Sequence, residues 1–193
     1  ICNILSLFTL SMIDGEEKLI IKNAISGEAS AFGLLYDRYQ PQIYRFIYLK
    51  VSHREEAEDL CHQVFLTAWQ NIGNYKHRGF PFSAWLYSIS KNKVIDYYRA
   101  KKISINIENI QIEDNKNRSE KLLDEKINLE NVKEAIKKLA DKEQNIIIMR
   151  FIEGFSPKET AKILEKSEIS IRVAQNRAIK KLKKLLENEQ RFI

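Results

Sequence analysis

The chain has 193 residues, 44% hydrophobic and 30% charged, with a formal net charge of +6. These proportions are ordinary for a globular protein, and with only 6 glycines and 3 prolines they exclude collagenous, mucin-like and low-complexity classes. The two cysteines, Cys2 and Cys61, make neither a disulfide framework nor a C-x-x-C pair, as suits a reducing cytoplasm.

The charge is uneven. Residues 1–102 carry 13 Lys and Arg against 10 Asp and Glu, 103–125 carry 3 against 6, and 126–193 carry 16 against 10. Two basic blocks joined by an acidic strap suggest two surfaces for a polyanion. Ahead of the first block, residues 1–11 (ICNILSLFTLS) form an apolar run too short to span a bilayer. The run also lacks the basic start and small-residue cleavage site of a signal peptide. The expectation is an artefactual or disordered tail, with the protein proper opening at Met12 and no membrane contact.

Helical spacing begins near Asp14, where Leu19, Ile20, Ala24 and Ile25 give a short amphipathic helix stopped at Ser26-Gly27. A longer helix follows through Ala31, Leu35, Tyr39, Ile43 and Phe46, with Pro41 a candidate kink. Ser52-x-x-Glu55 then reads as a capping box opening a helix whose buried stripe is Ala57, Leu60, Cys61, Val64, Phe65, Ala68 and Trp69. Asp59-x-x-His62 puts a carboxylate and an imidazole on one helical face, but a helical-bundle metal site needs a second such pair, which the chain lacks. No metal and no cofactor is expected.

Residues 71–80 read as a loop by their Asn and Gly content. The loop brings Tyr75, Lys76, His77 and Arg78 together, a mixture of ring and cation that suits single-stranded nucleic acid. An ordinary polar loop would look the same. The next helix buries Phe82, Trp85, Leu86, Ile89 and Val94 and leaves Lys91, Asn92, Lys93, Arg99, Lys101 and Lys102 outside. Residues 103–125 lose helical periodicity and turn acidic, as a linker would. Helical spacing returns from Lys126, and Asp141-x-x-Gln144 caps a helix running through Ile146 to Phe151.

The last stretch is the most informative. Ser156-Pro157-Lys158-Glu159 is a capping box with proline at the first helical position. The pattern breaks at Glu165-Lys166, Ser167 caps a second helix, and the whole has the helix-turn-helix form. Ile171, Ala174, Ala178, Leu182 and Leu185 make the second helix's packing stripe, while residues 170–184 hold six basic residues and no acid. Such a helix suits a DNA major groove, where phosphates draw the cations and Arg or Asn reads base edges. A solvated basic face would have the same composition. The fold class is therefore all-α: two small helical domains, 12–102 and 126–193, joined by a flexible linker at 103–125. A helix-turn-helix regulator binding duplex DNA alone would explain 126–193 and leave the first domain idle. The chain shows no phosphate-cradling glycine loop and no nucleophile–base pair, so no enzyme is expected.

The order of these blocks resembles the extracytoplasmic-function sigma factors of bacterial RNA polymerase. The resemblance rests on EASAFGLLYDRYQPQIYRF, EEAEDLCHQVFLTAW and FSAWLYSISKNKVIDYYR in the first domain, and on LADKEQNIIIMRFIEGFSPKETAKIL and RVAQNRAIKKLKKLL in the second. It implies a sigma region 2 bundle, a sigma region 4 helix-turn-helix, and a cytoplasmic factor that directs promoter-specific initiation. Partners implied are core RNA polymerase (the clamp of the largest subunit and the flap of the second largest), promoter DNA and an anti-sigma factor.

By the same resemblance, Asp59, His62 and Gln63 are polar clamp contacts, and Phe65 and Trp69 hold that helix in place. Asn74, Tyr75, Lys76, His77 and Arg78 capture a flipped −10 base, and Lys91, Asn92, Asp96 and Arg99 face the same DNA. Ser170, Arg172, Val173, Asn176 and Arg177 are groove-facing positions at the −35 element, with Lys180 on a phosphate. Two departures stand out: the family has Gln then Glu where this chain has His62 and Gln63, and glycine where it has Glu165.

Overall fold

The computed structural model describes residues 15–77, 79–107 and 132–190, all helix and connecting turn. The expected tail at 1–11, most of the expected linker and Arg78 lie outside the described residues.

Helix α1 covers 15–25 and ends as the sequence predicts. Gly27 at φ 95° takes the left-handed cap, and Glu28 N–H closes back on Asn23 O at 3.1 Å. Helix α2 (Ala29–Val51) runs on through Pro41 and buries Ala31, Leu35, Tyr39, Ile43, Phe46 and Ile47. Helix α3 (Arg54–Asn71) buries Ala57, Leu60, Cys61, Val64, Phe65 and Ala68, the stripe read from its spacing except for Trp69, which is only partly buried. Helix α4 (Phe82–Ile107) packs across both, with Phe82, Leu86, Tyr87 and Val94 in the core.

Three boundary expectations need correction. Ser52 does not cap α3: it sits at φ 59° as the left-handed end of α2, its N–H on Tyr48 O at 2.8 Å, and its buried Oγ has no partner. With only Ser52 and His53 between the helices, Ser52 cannot both close α2 and turn its hydroxyl onto α3. The second concerns α4, which continues to Ile107 rather than ending at 102. The third concerns Asp141, which is the first residue of helix α6 (Asp141–Ile147), not its cap. The reciprocal bond there runs from Ala140 N–H to the Glu143 carboxylate at 2.9 Å.

The second domain opens with α5 over 132–137. Helix α6 then passes into a turn of π-helix (Ile148–Ile152), with Glu153 N–H on Ile148 O at 2.9 Å. Helix α7 (Pro157–Leu164) begins with both arms of the capping box in place: Glu159 N–H on Ser156 Oγ at 3.2 Å and Ser156 N–H on Glu159 Oε2 at 2.7 Å. It ends at Glu165, φ 55° and ψ 46°, with Lys166 N–H on Ala161 O at 2.9 Å. The glutamate therefore adopts the left-handed conformation that glycine takes without strain. Helix α8 (Glu168–Gln190) follows, its first turn capped by Ser167 Oγ accepting from Ser170 N–H at 3.2 Å.

The two domains share one continuous hydrophobic core. Ile136, Leu139, Ile147, Ile148, Met149, Phe155 and Ile163 of the second belong to the same buried cluster as α2, α3 and α4 of the first. The Tyr87 ring meets Phe155 edge-on at 4.9 Å across the boundary.

Candidate nucleic-acid interface

Helix α8 buries Ile171 and Ala178 against the domain and leaves the opposite side open. Ile171 packs on Ile146 and Ala161, which fixes the rotation of the helix. That rotation exposes Ser170, Arg172, Val173, Asn176, Arg177 and Lys180 together, all six expected groove-facing or phosphate positions. Arg172 is already held by Glu168 at 2.7 Å, an exposed i,i+4 pair that a stronger anionic partner could replace. Ile169, 76% exposed at the helix start, joins this face and was not among the expected residues. Its offset from the Ile171 stripe was the available signal. An exposed isoleucine beside arginines suits a groove floor carrying thymine methyls.

On α3, Asp59, His62 and Gln63 lie exposed at i, i+3 and i+4, with Phe65 buried beneath them. Phe65 meets Tyr36 edge-on at 4.7 Å and Trp69 meets Phe32 at 5.0 Å, so α2 locks the helix from below. Leu66, 57% exposed two turns beyond Asp59, extends this face with an apolar patch that the sequence reading missed. The mixed face has the makeup of a protein-contact surface rather than of a DNA one. Cys61 lies inside the stripe, and burial pushes its thiol up to about 11, far from a reactive thiolate.

The loop after α3 is anchored at both ends. Ile72 is buried, and Tyr75 N–H returns to Ile72 O at 2.9 Å. Tyr75 is not a ring on a free tip: it is half-buried against Phe82 at 5.2 Å and Trp85 at 5.1 Å. Phe82 and Trp85 stand one turn apart on α4 and form the platform that holds it. Asn74, Lys76 and His77 remain exposed around it. Asn74, Tyr75 and Lys76, together with Phe80, Trp85, Ser88 and Lys162, line a cavity of about 300 Å³, of a size for one base, with rings on its walls and cations at its rim; His77 is not part of its lining.

Along α4, Asn92, Asp96 and Arg99 continue the exposed stripe from Ser88, with Asp96 and Arg99 paired at 3.5 Å. Lys91 is the exception. Its ammonium turns to the second domain, donating to Glu165 Oε1 at 3.2 Å and Ile163 O at 3.4 Å, and its side chain is only 13% exposed. Sequence periodicity placed Lys91 outside because it cannot see the partner domain.

Among the described residues no group of three His, Cys, Asp or Glu side chains comes close enough to hold a metal ion. None of the described helices is long and apolar enough to cross a membrane.

Comparison with known proteins separates the readings this geometry allows. A sigma-70 region 2 model matches residues 35–103 and a sigma-70 region 4 model matches residues 135–184. The ECF RNA polymerase sigma factor BldN of Streptomyces coelicolor is 33% identical over 175 residues, covering 89% of this chain and 66% of BldN. The ECF RNA polymerase sigma factor SigX of Bacillus subtilis is 28% identical over 163 residues, covering 81% of this chain and 84% of SigX. The sigma factor RpoE of Bartonella quintana, crystallised with the anti-sigma factor NepR, shares the fold. The TM-score is 0.70 at 23% identity, over 81% of this chain and 96% of RpoE. With both sigma regions matched in their proper order on two helical domains, the chain belongs to the ECF RNA polymerase sigma factors.

Proposed function

We propose that this chain binds core RNA polymerase and directs promoter-specific initiation from the cytoplasm, its two domains reading different states of the DNA. The observation that carries the reading is the pairing of two unlike exposed faces in one chain. The α8 face is basic and acid-free from 170 to 184, while the α3 face is mixed polar and apolar over Asp59, His62, Gln63 and Leu66.

In this reading Arg172, Asn176 and Arg177 meet base edges of the −35 duplex, Val173 and Ile169 meet apolar base surface, and Lys180 meets phosphate. The ring-walled cavity takes an unpaired −10 base, and Asn92 and Arg99 follow the same strand. Melting is driven by binding energy: the cavity stabilises the strand-separated state, and no bond is made or broken by the chain. The α3 face docks on the polymerase clamp, and the second domain engages the flap. A protein inhibitor of the kind named for RpoE would cover the α3 and DNA faces. A stand-alone duplex-binding regulator would not need the α3 face or the cavity.

Run-off transcription on a genomic fragment library, with core polymerase with and without the chain, tests the proposal. Discrete starts that require the chain are the expected result. Specific duplex binding by the chain alone, with no new starts, would replace it with the regulator reading.

A further inference from the structure

A half-buried guanidinium braces α8 on the side away from its exposed face. Arg150 lies within the π turn and donates Nε–H to Gln175 Oε1 at 2.8 Å. Gln175 stands between Ile171 and Ala178 on the packed side of α8. Nη1 of the same arginine donates to the backbone oxygen of Phe155, the residue before the Ser156 cap of α7. The π turn makes this reach possible. Its wider winding sets Glu153 N–H on Ile148 O and Phe155 N–H on Met149 O, each at 2.9 Å, so the chain turns back toward Arg150. One side chain thus ties the turn, the entry to α7 and the middle of α8 into one frame, all within the second domain.

The other contacts constrain α8 less. Ile171 against Ile146 and Ala161, and Ala178 in the core, keep the helix on the domain, but apolar contacts are non-directional and leave its tilt soft. Lys181 pairs with Glu143 at 2.8 Å, yet the lysine is 47% exposed, and such a pair holds little. Small tilts matter at the reading face. Arg177 lies six residues beyond Ile171. That is about 9 Å along the axis at 1.5 Å per residue, so a tilt of about 10° carries it roughly 1.5 Å. A placed hydrogen bond tolerates about 0.5 Å.

We propose that Arg150 is a positioning residue for promoter reading: through Gln175 and the Phe155 carbonyl it fixes the pitch of α8, and so decides how sharply Arg172, Asn176 and Arg177 tell one base from another. The consequence for promoters rests on α8 being the groove helix of the reading above; the brace itself does not. Both bonds from Arg150 are charge-assisted, and the planar guanidinium holds its two acceptors in a fixed relation. A lysine carries the same charge without that fork, so it replaces the brace only in part.

Geometry and discrimination are measured separately on the full chain, in the parent, Arg150→Met, Arg150→Lys, Gln175→Met and the double Met variant. Nitroxide labels on exposed Lys158 of α7 and Lys184 of α8 report the distance between the helices without DNA. A narrow distribution in the parent and a broader or shifted one in each Met variant are expected. Gln175→Met keeps the test valid if Arg150→Met does not fold. Duplexes selected from a random pool by the parent with core polymerase then supply a target, and its affinity is compared with that of a scrambled duplex over a range of salt. Each single Met variant should narrow the target-to-scrambled ratio about tenfold, the double variant no further, and Arg150→Lys by less, all with the salt slope unchanged. Equal losses on both duplexes with the slope smaller by about one would make Arg150 a phosphate contact instead. An unchanged ratio, additive losses in the double variant, or unchanged distances in both single Met variants would each overturn the proposal. If the parent selects no duplex while the distances change as expected, the groove reading of α8 falls, and the promoter role of Arg150 with it, while the brace stands.

Discussion

Substituting Ser52 sets the structure directly against the simplest reading of the sequence. If Ser52 capped α3, Ser52→Ala would cost about 1 kcal/mol and Ser52→Gly a few tenths. The structure predicts the opposite sign. Ser52 holds a left-handed backbone at φ 59°, which costs a residue with a Cβ roughly 1 kcal/mol, and its buried Oγ lacks any partner, which costs at least about 1 more. Glycine removes both penalties and returns up to about 1 kcal/mol through the greater freedom of the unfolded chain. The net expectation for Ser52→Gly is a gain of about 1 kcal/mol, or some 2–4 °C in midpoint for a chain of this size. Ser52→Ala removes only the orphan hydroxyl and should be neutral or mildly stabilising. Thermal and urea unfolding of the two variants beside the parent would decide it. A loss of about 1 kcal/mol in Ser52→Ala would show that the hydroxyl caps α3 and that the corner is built differently. Because this corner sets the angle of α3 against α2, polymerase binding by Ser52→Gly should stay at the parent level.

Leu66→Glu should weaken binding to core polymerase by about tenfold or more while leaving the unfolding midpoint within a degree or two, since Leu66 is exposed; Asp59→Ala should act the same way, and a normal complex from both variants would remove α3 from the polymerase interface. Arg177→Ala should cost ~1–3 kcal/mol on promoters whose contacted base it reads and less on others, whereas equal losses on every sequence would make it a phosphate contact. Lys50 supplies a pH test. Burial lowers its pKa below the ordinary 10.5, with Asp141 pulling the other way. Between the lowered value and 10.5 the unfolded chain holds more protons than the folded one, so this lysine makes stability rise with pH across that alkaline window. Lys50→Met should remove that rise, measured as the difference between the two urea-unfolding curves over the window; identical pH slopes would show that Lys50 is solvated in solution.

The sequence by itself determined the helices, their buried stripes and the chemistry of the faces. Local rules suffice for these: the Ser156–Glu159 box, the Ser167 cap, the Gly27 stop and the α3 and α8 apolar spacings depend on residues within one or two turns of one another. Arg172, Asn176, Arg177 and Lys180 on α8 were legible because one stripe, anchored by Ile171 and Ala178, fixes which side turns outward, whereas Ser170 and Val173 were added only by the family resemblance. The exposed Leu66 and Ile169 were equally written in that spacing but do not stand out among so many apolar residues. Ser52 was misread because a cap motif and a helix end compete for one residue, and only the backbone angle shows which prevails. Tyr75 needed the Phe82 and Trp85 platform, which comes from another helix. Lys91, Arg45 and Glu153 were beyond reach for a stronger reason. Arg45 and Glu153 are 108 positions apart, and no local pattern tells a surface arginine from half of a buried ion pair. Tertiary structure alone decided that the two domains share one core, because that depends on which surfaces meet, and the same side chains would otherwise be two solvated faces.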